Sequence, residues 1–141
     1  MKLLILGIFL VSIFNSESQT GGEIELLIKG AKSNDGVIRV LIFDKEDGFP
    51  EEPKKAIKAL SLPISNLSAK VTIENLPSGS YAISVFHDED SDGKMKKNNF
   101  GIPIDRYGFS NNPTLYFGPP SFSKCAVQVK KSTVKVEIKL R

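Results

Sequence analysis

Cysteine, histidine and tryptophan are nearly absent from this sequence of 141 residues, which holds one cysteine, one histidine and no tryptophan. A single cysteine cannot form a disulfide within one chain, so a disulfide-stapled fold is excluded. A zinc site normally needs three or four strong nitrogen or sulfur ligands, and the sequence does not supply them. Cys125 lies in an apolar, strand-like run, which predicts a buried, unreactive thiol; pairing with a second molecule is the alternative.

An excess of charge of one sign is also missing, because 19 basic residues oppose 16 acidic ones and the formal net charge is +3. The basic residues cluster at Lys94–Lys97 and Lys130–Lys131 without interleaved aromatic residues. A nucleic-acid interface is denser in positive charge and more one-sided. We therefore expect no nucleic-acid partner.

Long apolar runs are absent except near the N-terminus, where Lys2 precedes 12 mainly apolar residues, Leu3–Phe14. A basic start, a short apolar run and a small residue after it are typical of a secretory signal peptide. The run is short for a bilayer span. We predict a signal peptide over residues 1–18, cleaved near Ser18–Gln19, and one domain over residues 19–141 without a transmembrane segment. An uncleaved membrane anchor is the alternative.

The rest of the sequence alternates apolar and polar residues with the two-residue period of β-strands. Turn signals such as Asn34-Asp35-Gly36 separate the alternating segments. The pattern predicts an all-β fold, a single antiparallel β-sandwich of six to eight strands. We also predict that the first two strands form a hairpin and that the last two form another. The clearest predicted strands are residues 23–28, 37–43, 70–74, 81–86, 126–129 and 133–140.

Two segments depart from this alternation. Residues 51–60 begin with acidic side chains and continue with basic ones, an order that suits the helix dipole and predicts one short helix or turn in a connection. Residues 88–115 show no convincing strand. A connection of that length inside a compact domain is usually functional or mobile.

An acidic loop (residues 88–99) opens this connection. Asp88, Asp90 and Asp92 have the spacing of positions 1, 3 and 5 of a calcium loop, and Gly93 stands at the sharp turn of position 6. Lys94 would contribute its backbone carbonyl at position 7. Closely spaced carboxylates repel one another unless a cation or water separates them. The spacing therefore predicts a calcium site, with calcium as the one expected cofactor.

The rest of the calcium pattern does not match. Position 12 is Asn99 where a bidentate glutamate is usual, and position 9 is Lys96, whose ammonium opposes a bound cation. The remaining ligands would come from Asn98, Asn99 or Asp105. A solvated acidic turn, partly neutralised by nearby lysines, is the alternative interpretation.

A second candidate site consists of His87, Tyr107, Phe109, Asn111 and Asn112, which flank the acidic loop or follow it. Aromatic rings beside amide groups suit a sugar, a peptide or another small ligand. The alternative is that the aromatic residues anchor a long loop on the sandwich and that the histidine is a hydrogen-bonded structural residue.

Enzymatic chemistry has little support. A hydrolase would have to use His87 with a nearby serine such as Ser84, but residues three apart on a strand point to opposite faces. No nucleophile-elbow spacing occurs in the sequence. We therefore expect a protein that is not an enzyme, with a hydrolase as the weakest alternative.

Several short motifs rich in glycine, proline, asparagine and aromatic residues occur through the chain. They are His87–Asp90, Gly93-Lys94, Asn98, Gly101–Pro103, Tyr107–Asn112, Phe117–Phe122, Phe43-Asp44, Gly48–Pro50 and Leu76–Ile83. Together they resemble a bacterial exported family called domain of unknown function 2141, and the resemblance covers nearly the whole mature chain. It implies a transthyretin-like or immunoglobulin-like sandwich and no known activity. In the family the acidic loop usually has asparagine where this chain has Asp90 and Asp92, and often an acidic residue where it has Lys96.

The sequence thus predicts an exported, non-enzymatic binding or structural module that is periplasmic, in the outer envelope or secreted. An extracytoplasmic sugar or small-ligand binder is the alternative function. The partner itself is not predicted by any motif, and export favours one at the cell surface or in the envelope.

Overall fold

The structure, a computed structural model, describes residues 20–141, so the predicted signal peptide at 1–18 lies outside the described residues. Eight strands, one 3-10 turn and one short helix make up this part of the chain, which confirms the all-β prediction. In chain order they are β1 (Gly22–Lys29), β2 (Val37–Phe43), the 3-10 turn (Pro53–Lys55), β3 (Lys58–Leu62), β4 (Ser68–Leu76), β5 (Gly79–Asp88), β6 (Tyr107–Phe109), α1 (Phe122–Cys125), β7 (Val127–Val129) and β8 (Thr133–Lys139).

The strands form two sheets that pack face to face. One sheet has three strands in the order β4-β1-β8, and the other has the order β3-β2-β5-β6, with β7 beside the first residues of β5. Every pair is antiparallel except β1 and β8, which run parallel. The predicted antiparallel sandwich is confirmed apart from this one pair. Within residues 20–141, no helix has the length and hydropathy that crossing a bilayer requires.

The hydrophobic core lies between the sheets and follows from the alternation of β1 and β2. Ile24, Leu26 and Ile28 of β1 are buried, and Ile38 and Ile42 of β2 belong to the same cluster. Full burial of one such side chain stabilises the fold by about 1.5–3 kcal/mol. The two strands therefore face each other across the core.

Both predicted hairpins are wrong. β1 pairs with β4 and β8, whereas β2 pairs with β3 and β5, so residues 30–36 cross from one sheet to the other. Likewise β7 pairs with β5 and β8 pairs with β1, so the turn between β7 and β8 also crosses between sheets. Alternation fixes which face of a strand is buried, but two strands that follow each other with buried faces can be packed instead of paired.

The helix predicted for residues 51–60 is reduced to the 3-10 turn Pro53–Lys55. The residues after it form β3, which pairs with β2 and buries Leu62 in the core. A helix of one or two turns has little stability of its own, whereas strand pairing satisfies the backbone of this segment.

The short strand β6 is not predicted from the sequence, because Gly108 interrupts its alternation. A β-carbon on Gly108 would lie 2.6 Å from Cγ2 of Ile138.

A second apolar cluster covers the outer face of the five-stranded sheet and is centred on Phe49. The Phe49 ring meets the rings of Phe43, Phe109 and Phe122 edge to face, at centroid distances of 5.4, 6.2 and 5.9 Å. Cys125 is fully buried in the same cluster, as predicted. The cluster fixes the connections after β2 and β6 against the sheet.

Cys125 is expected to resist alkylation as long as the protein is folded. Burial raises the pKa of its thiol to about 11, so only about one molecule in a thousand carries the reactive thiolate at pH 8. Mass spectrometry after iodoacetamide treatment should show little labelling in buffer and complete labelling in denaturant. Rapid labelling of the folded protein would contradict the buried position.

Candidate functional site

The candidate site lies at the end of the sandwich where β5 ends and β2 begins, since Asp88 pairs with Val37. Alternate residues of a strand point to opposite faces. Because Val85 and Ile83 face the core, Asp88 projects from the outer face of the five-stranded sheet. The acidic loop starts at this residue.

Asp88 is completely buried, which is unusual for an aspartate. Its Oδ2 atom accepts two hydrogen bonds of 2.8 Å, one from Nε of Arg39 and one from the backbone N–H of Gly93. Its Oδ1 atom has no hydrogen-bond partner, and it is the single buried side-chain polar atom in this state within residues 20–141. An unsatisfied buried carboxylate oxygen is unfavourable unless something binds it.

Asp88, Asp90 and Asp92 are brought together as the spacing predicts. Each offers one oxygen to a group in which all oxygens lie within 4.8 Å of one another, and Asp90 and Asp92 are exposed. Gly93 makes the sharp turn with φ +80°, in the left-handed region that favours glycine. Asp92 Oδ1 accepts the N–H of Lys94 at 2.8 Å, which holds the loop closed around the three carboxylates.

Two cations already balance part of this negative charge. Lys96 Nζ lies 3.0 Å from Asp90 Oδ2, and this pairing lowers the pKa of Asp90 and raises the pKa of Lys96. Arg39 pairs with Asp88 at 2.8 Å. A metal ion bound by all three carboxylates would therefore take the place of Lys96 at Asp90, while Arg39 could keep its bond to the other oxygen of Asp88.

The structure gives the other predicted ligands different contacts. The side-chain oxygen of Asn98 accepts the N–H groups of Phe100 and Ile102 at 2.9 and 3.0 Å. Asp105 Oδ2 accepts the N–H of Lys96 at 2.8 Å. Asn99 is exposed. The described contacts thus support a site of three carboxylates, to which calcium would add backbone carbonyls and water.

His87 is buried and both of its ring nitrogens are used. Nδ1 accepts the N–H of Lys32 at 3.2 Å, and Nε2 lies 2.8 Å from the carbonyl oxygen of Asp35, to which it donates. The ring therefore ties the crossover between β1 and β2 to β5. Ser84 points to the other face, and its hydroxyl donates to the carbonyl of Pro50 at 2.7 Å. These contacts favour a structural role and leave the histidine without a free nitrogen for a ligand or a substrate.

The amide groups of Asn111 and Asn112 also make internal contacts. Asn111 Nδ2 donates to the carbonyl of Ala126 at 2.9 Å. Asn112 Nδ2 donates to the carbonyl of Glu137 and its Oδ1 accepts the N–H of Lys139, both at 2.8 Å. The two asparagines have positive φ angles and fasten the chain after β6 to its neighbours.

Tyr107 and Phe109 belong to the outer apolar cluster. Phe109 is buried, Tyr107 is half-buried, and their ring centroids are 5.8 Å apart. The contacts therefore favour the anchoring role for the five residues of the second candidate site. The most exposed aromatic side chains among the described residues are instead Phe100, Tyr116 and Phe117.

Sequence reasoning did not identify Arg39, although its guanidinium is the closest cation to the buried carboxylate. Arg39 occupies an outward position of β2, where charged residues are ordinary. Only the register between β2 and β5, which pairs Val37 with Asp88, places its side chain beside the loop. A single sequence contains no signal for that register.

A family model described as an uncharacterized protein conserved in bacteria (DUF2141) matches residues 26–137. The matched range includes the acidic loop and reaches from β1 into β8. No curated protein and no solved structure matches the chain. The transthyretin-like or immunoglobulin-like subtype therefore stays a prediction.

Proposed function

The chain belongs to the DUF2141 family, and from this premise we propose that it is an exported, non-enzymatic β-sandwich module whose acidic loop is ordered by calcium. The proposal assigns three side chains to the ion: Asp88, Asp90 and Asp92. It assigns the Lys94 carbonyl and water to the remaining positions.

The observation that carries the proposal is the orphaned Oδ1 atom of Asp88. This carboxylate is buried at the base of the loop, and one of its oxygens lies within 4.8 Å of oxygens of Asp90 and Asp92. Burying a charged oxygen without a hydrogen-bond partner or a cation costs more free energy than leaving the same oxygen hydrated at the surface. A cation that lay between the three carboxylates and bound Asp88 through Oδ1 would satisfy that oxygen, and it would also remove the repulsion between the acids.

Calcium fits this donor set better than other common ions do. All three side-chain donors are carboxylates, which hard cations prefer. Magnesium demands a nearly ideal octahedron, whereas calcium accepts irregular shells of six to eight oxygens. Because the glutamate usual at position 12 is replaced by Asn99, we expect weak binding with a Kd of roughly 0.1–1 mM, the range of extracellular modules.

Export and the lack of catalysis are supported by separate features. The order of charge and apolar residues in the first 18 positions is that of a signal peptide. Both nitrogens of His87 are bound to the backbone, so the one histidine of the chain is not poised for acid–base chemistry. In an exported protein, a calcium site of this weak affinity would be exposed to the calcium outside the cytoplasm.

Calorimetric titration should show saturable calcium binding, and calcium should raise the Tm relative to EDTA because it binds only the folded loop. Asp92→Asn should weaken binding by about tenfold or more, since one charged ligand is lost. Binding should also decline as acid protonates Asp90, and the Lys96 ammonium, which lowers the pKa of Asp90, moves that decline to lower pH.

Glu89→Gln is the matched control, because Glu89 lies in the same loop but bonds to Ser33 instead of joining the three carboxylates. It should bind calcium nearly as well as the unmodified protein. Absence of heat and of any Tm shift with the unmodified protein would overturn the proposal. Equal losses of calcium affinity in Glu89→Gln and Asp92→Asn would show that calcium responds to the general negative charge of the loop and not to the three assigned carboxylates.

A further inference from the structure

Three exposed apolar side chains lie on the 96–104 hairpin, a segment that shares its first four residues with the end of the acidic loop and continues beyond it. Phe100 is 89% exposed, Ile102 59% and Ile104 65%. Large apolar side chains exposed singly are normal, but three within five residues concentrate exposed apolar surface in one short segment, as at sites that contact a partner or a membrane.

The hairpin holds these side chains out in a fixed arrangement. The N–H of Ile104 donates to the carbonyl of Lys96 at 2.7 Å, and the N–H of Asn98 donates to the carbonyl of Ile102 at 2.9 Å. The Asn98 side chain caps the turn by accepting the N–H groups of Phe100 and Ile102. A preorganised tip loses little conformational entropy when it binds.

The net charge of the hairpin and the acidic loop determines whether this segment is attracted to an anionic surface. Lys94, Lys96 and Lys97 lie in or just before the hairpin, but the acidic residues at positions 88–92 directly precede them in the chain. Between positions 88 and 106 five acidic residues oppose four basic ones, a net charge of −1. One bound Ca²⁺ changes this to +1, and by replacing Lys96 at Asp90 it also frees an ammonium group.

We propose that the 96–104 hairpin docks on an anionic lipid surface when the acidic loop holds calcium. This inference rests on the proposed calcium site. Phe100 and its two isoleucine neighbours enter the interfacial region, and the lysines contact lipid phosphates. A bilayer is favoured over a protein partner because the three apolar side chains are exposed on a short hairpin flanked by lysines, and a deformable anionic surface accepts such a hairpin without a matching groove.

The test is sedimentation of the full-length mature protein with vesicles. With vesicles of phosphatidylcholine mixed with phosphatidylglycerol, the protein should pellet in calcium and stay in the supernatant in EDTA. Phe100→Ala should weaken binding by about tenfold, the factor expected for losing one buried phenylalanine. Vesicles of phosphatidylcholine alone should bind poorly because they lack the anionic headgroup.

Ile57→Ala is the matched control, because Ile57 is 40% exposed and bonds through its N–H to Ile42, at the end of β2 remote from Asp88. It should bind vesicles as the unmodified protein does. Calorimetry without lipid separates the two proposals: calcium binding without vesicle binding overturns the docking inference alone, whereas no calcium binding overturns the proposed function. Equal vesicle binding in calcium and EDTA, or an equal loss in Ile57→Ala, also overturns the inference.

Discussion

Arg39→Met is expected to lower the free energy of unfolding by about 3 kcal/mol in EDTA, because it leaves a buried charge without its partner. Arg39 donates through Nε to Oδ2 of Asp88 at 2.8 Å, and that carboxylate is completely buried. Methionine keeps most of the side-chain volume, so the loss would report the missing guanidinium and not a cavity. The guanidinium also donates to Ser61 Oγ at 2.8 Å and to the carbonyl of Ser91 at 3.4 Å, but both bonds are exposed and contribute less than the buried ion pair. Denaturant unfolding followed by circular dichroism measures it.

Calcium should restore part of the stability lost in Arg39→Met, because a divalent cation at the same carboxylate replaces the missing positive charge. The rise in Tm on adding calcium should therefore be larger for this variant than for the unmodified protein. Arg106→Met is the control, since Arg106 is exposed and donates to the carbonyl of Gly30 instead of a carboxylate. A stability of Arg39→Met equal to that of Arg106→Met would show that Asp88 does not depend on the guanidinium.

Gly36→Ala should lower the free energy of unfolding at least as much as Arg39→Met does, up to preventing folding altogether. Gly36 has φ +71°, and a β-carbon there would lie 2.0 Å from the carbonyl oxygen of Asp88 and 2.6 Å from that of Glu89. The backbone carbonyls of Asp88, the last residue of β5, and of Glu89 would have to move, which disturbs the first residues of the acidic loop. We expect a loss of more than about 3 kcal/mol, the range of severe overpacking combined with backbone strain.

Gly93→Ala separates two effects that Gly36→Ala combines, namely the steric clash of the new β-carbon and the backbone strain of a positive φ angle. Gly93 has a similar φ of +80°, but nothing lies within 4 Å of the position that a β-carbon would take. Its cost should be only the left-handed strain of about 1–2 kcal/mol. Chemical denaturation of both variants gives the comparison, and equal losses would mean that contact with β5 adds nothing at Gly36.

The strands could be predicted from the sequence more reliably than their neighbours. Alternation in β1, β2, β4 and β8 shows which residues face the core, and the structure agrees. In β5 every residue from Tyr81 to Val85 is buried, because both faces of this strand are covered. Pairing depends on contacts between residues far apart, such as Leu26 with Val136 in the parallel pair. Nothing in either strand alone indicates that partner, which explains why both predicted hairpins were wrong.

The candidate site, like the fold, was only partly predictable from the sequence. The spacing of Asp88, Asp90 and Asp92 was enough to predict that their carboxylates converge. The burial of Asp88 was not predictable, because it depends on where β5 ends and on the register with β2. Asn98 and Asp105 were assigned to the ion on residue type alone, whereas backbone N–H groups within the loop compete for the same oxygens.

The topology also gives the molecule two distinct poles. The chain enters the sandwich at Gly22, which pairs with Leu76 at the end of β4, and β5 starts just after that point and runs away from it to Asp88. Gly22 and Asp88 therefore lie at opposite poles of the sandwich. An affinity tag joined to the chain ahead of Gly22 would start at the pole remote from the three carboxylates, where it does not obstruct the acidic loop.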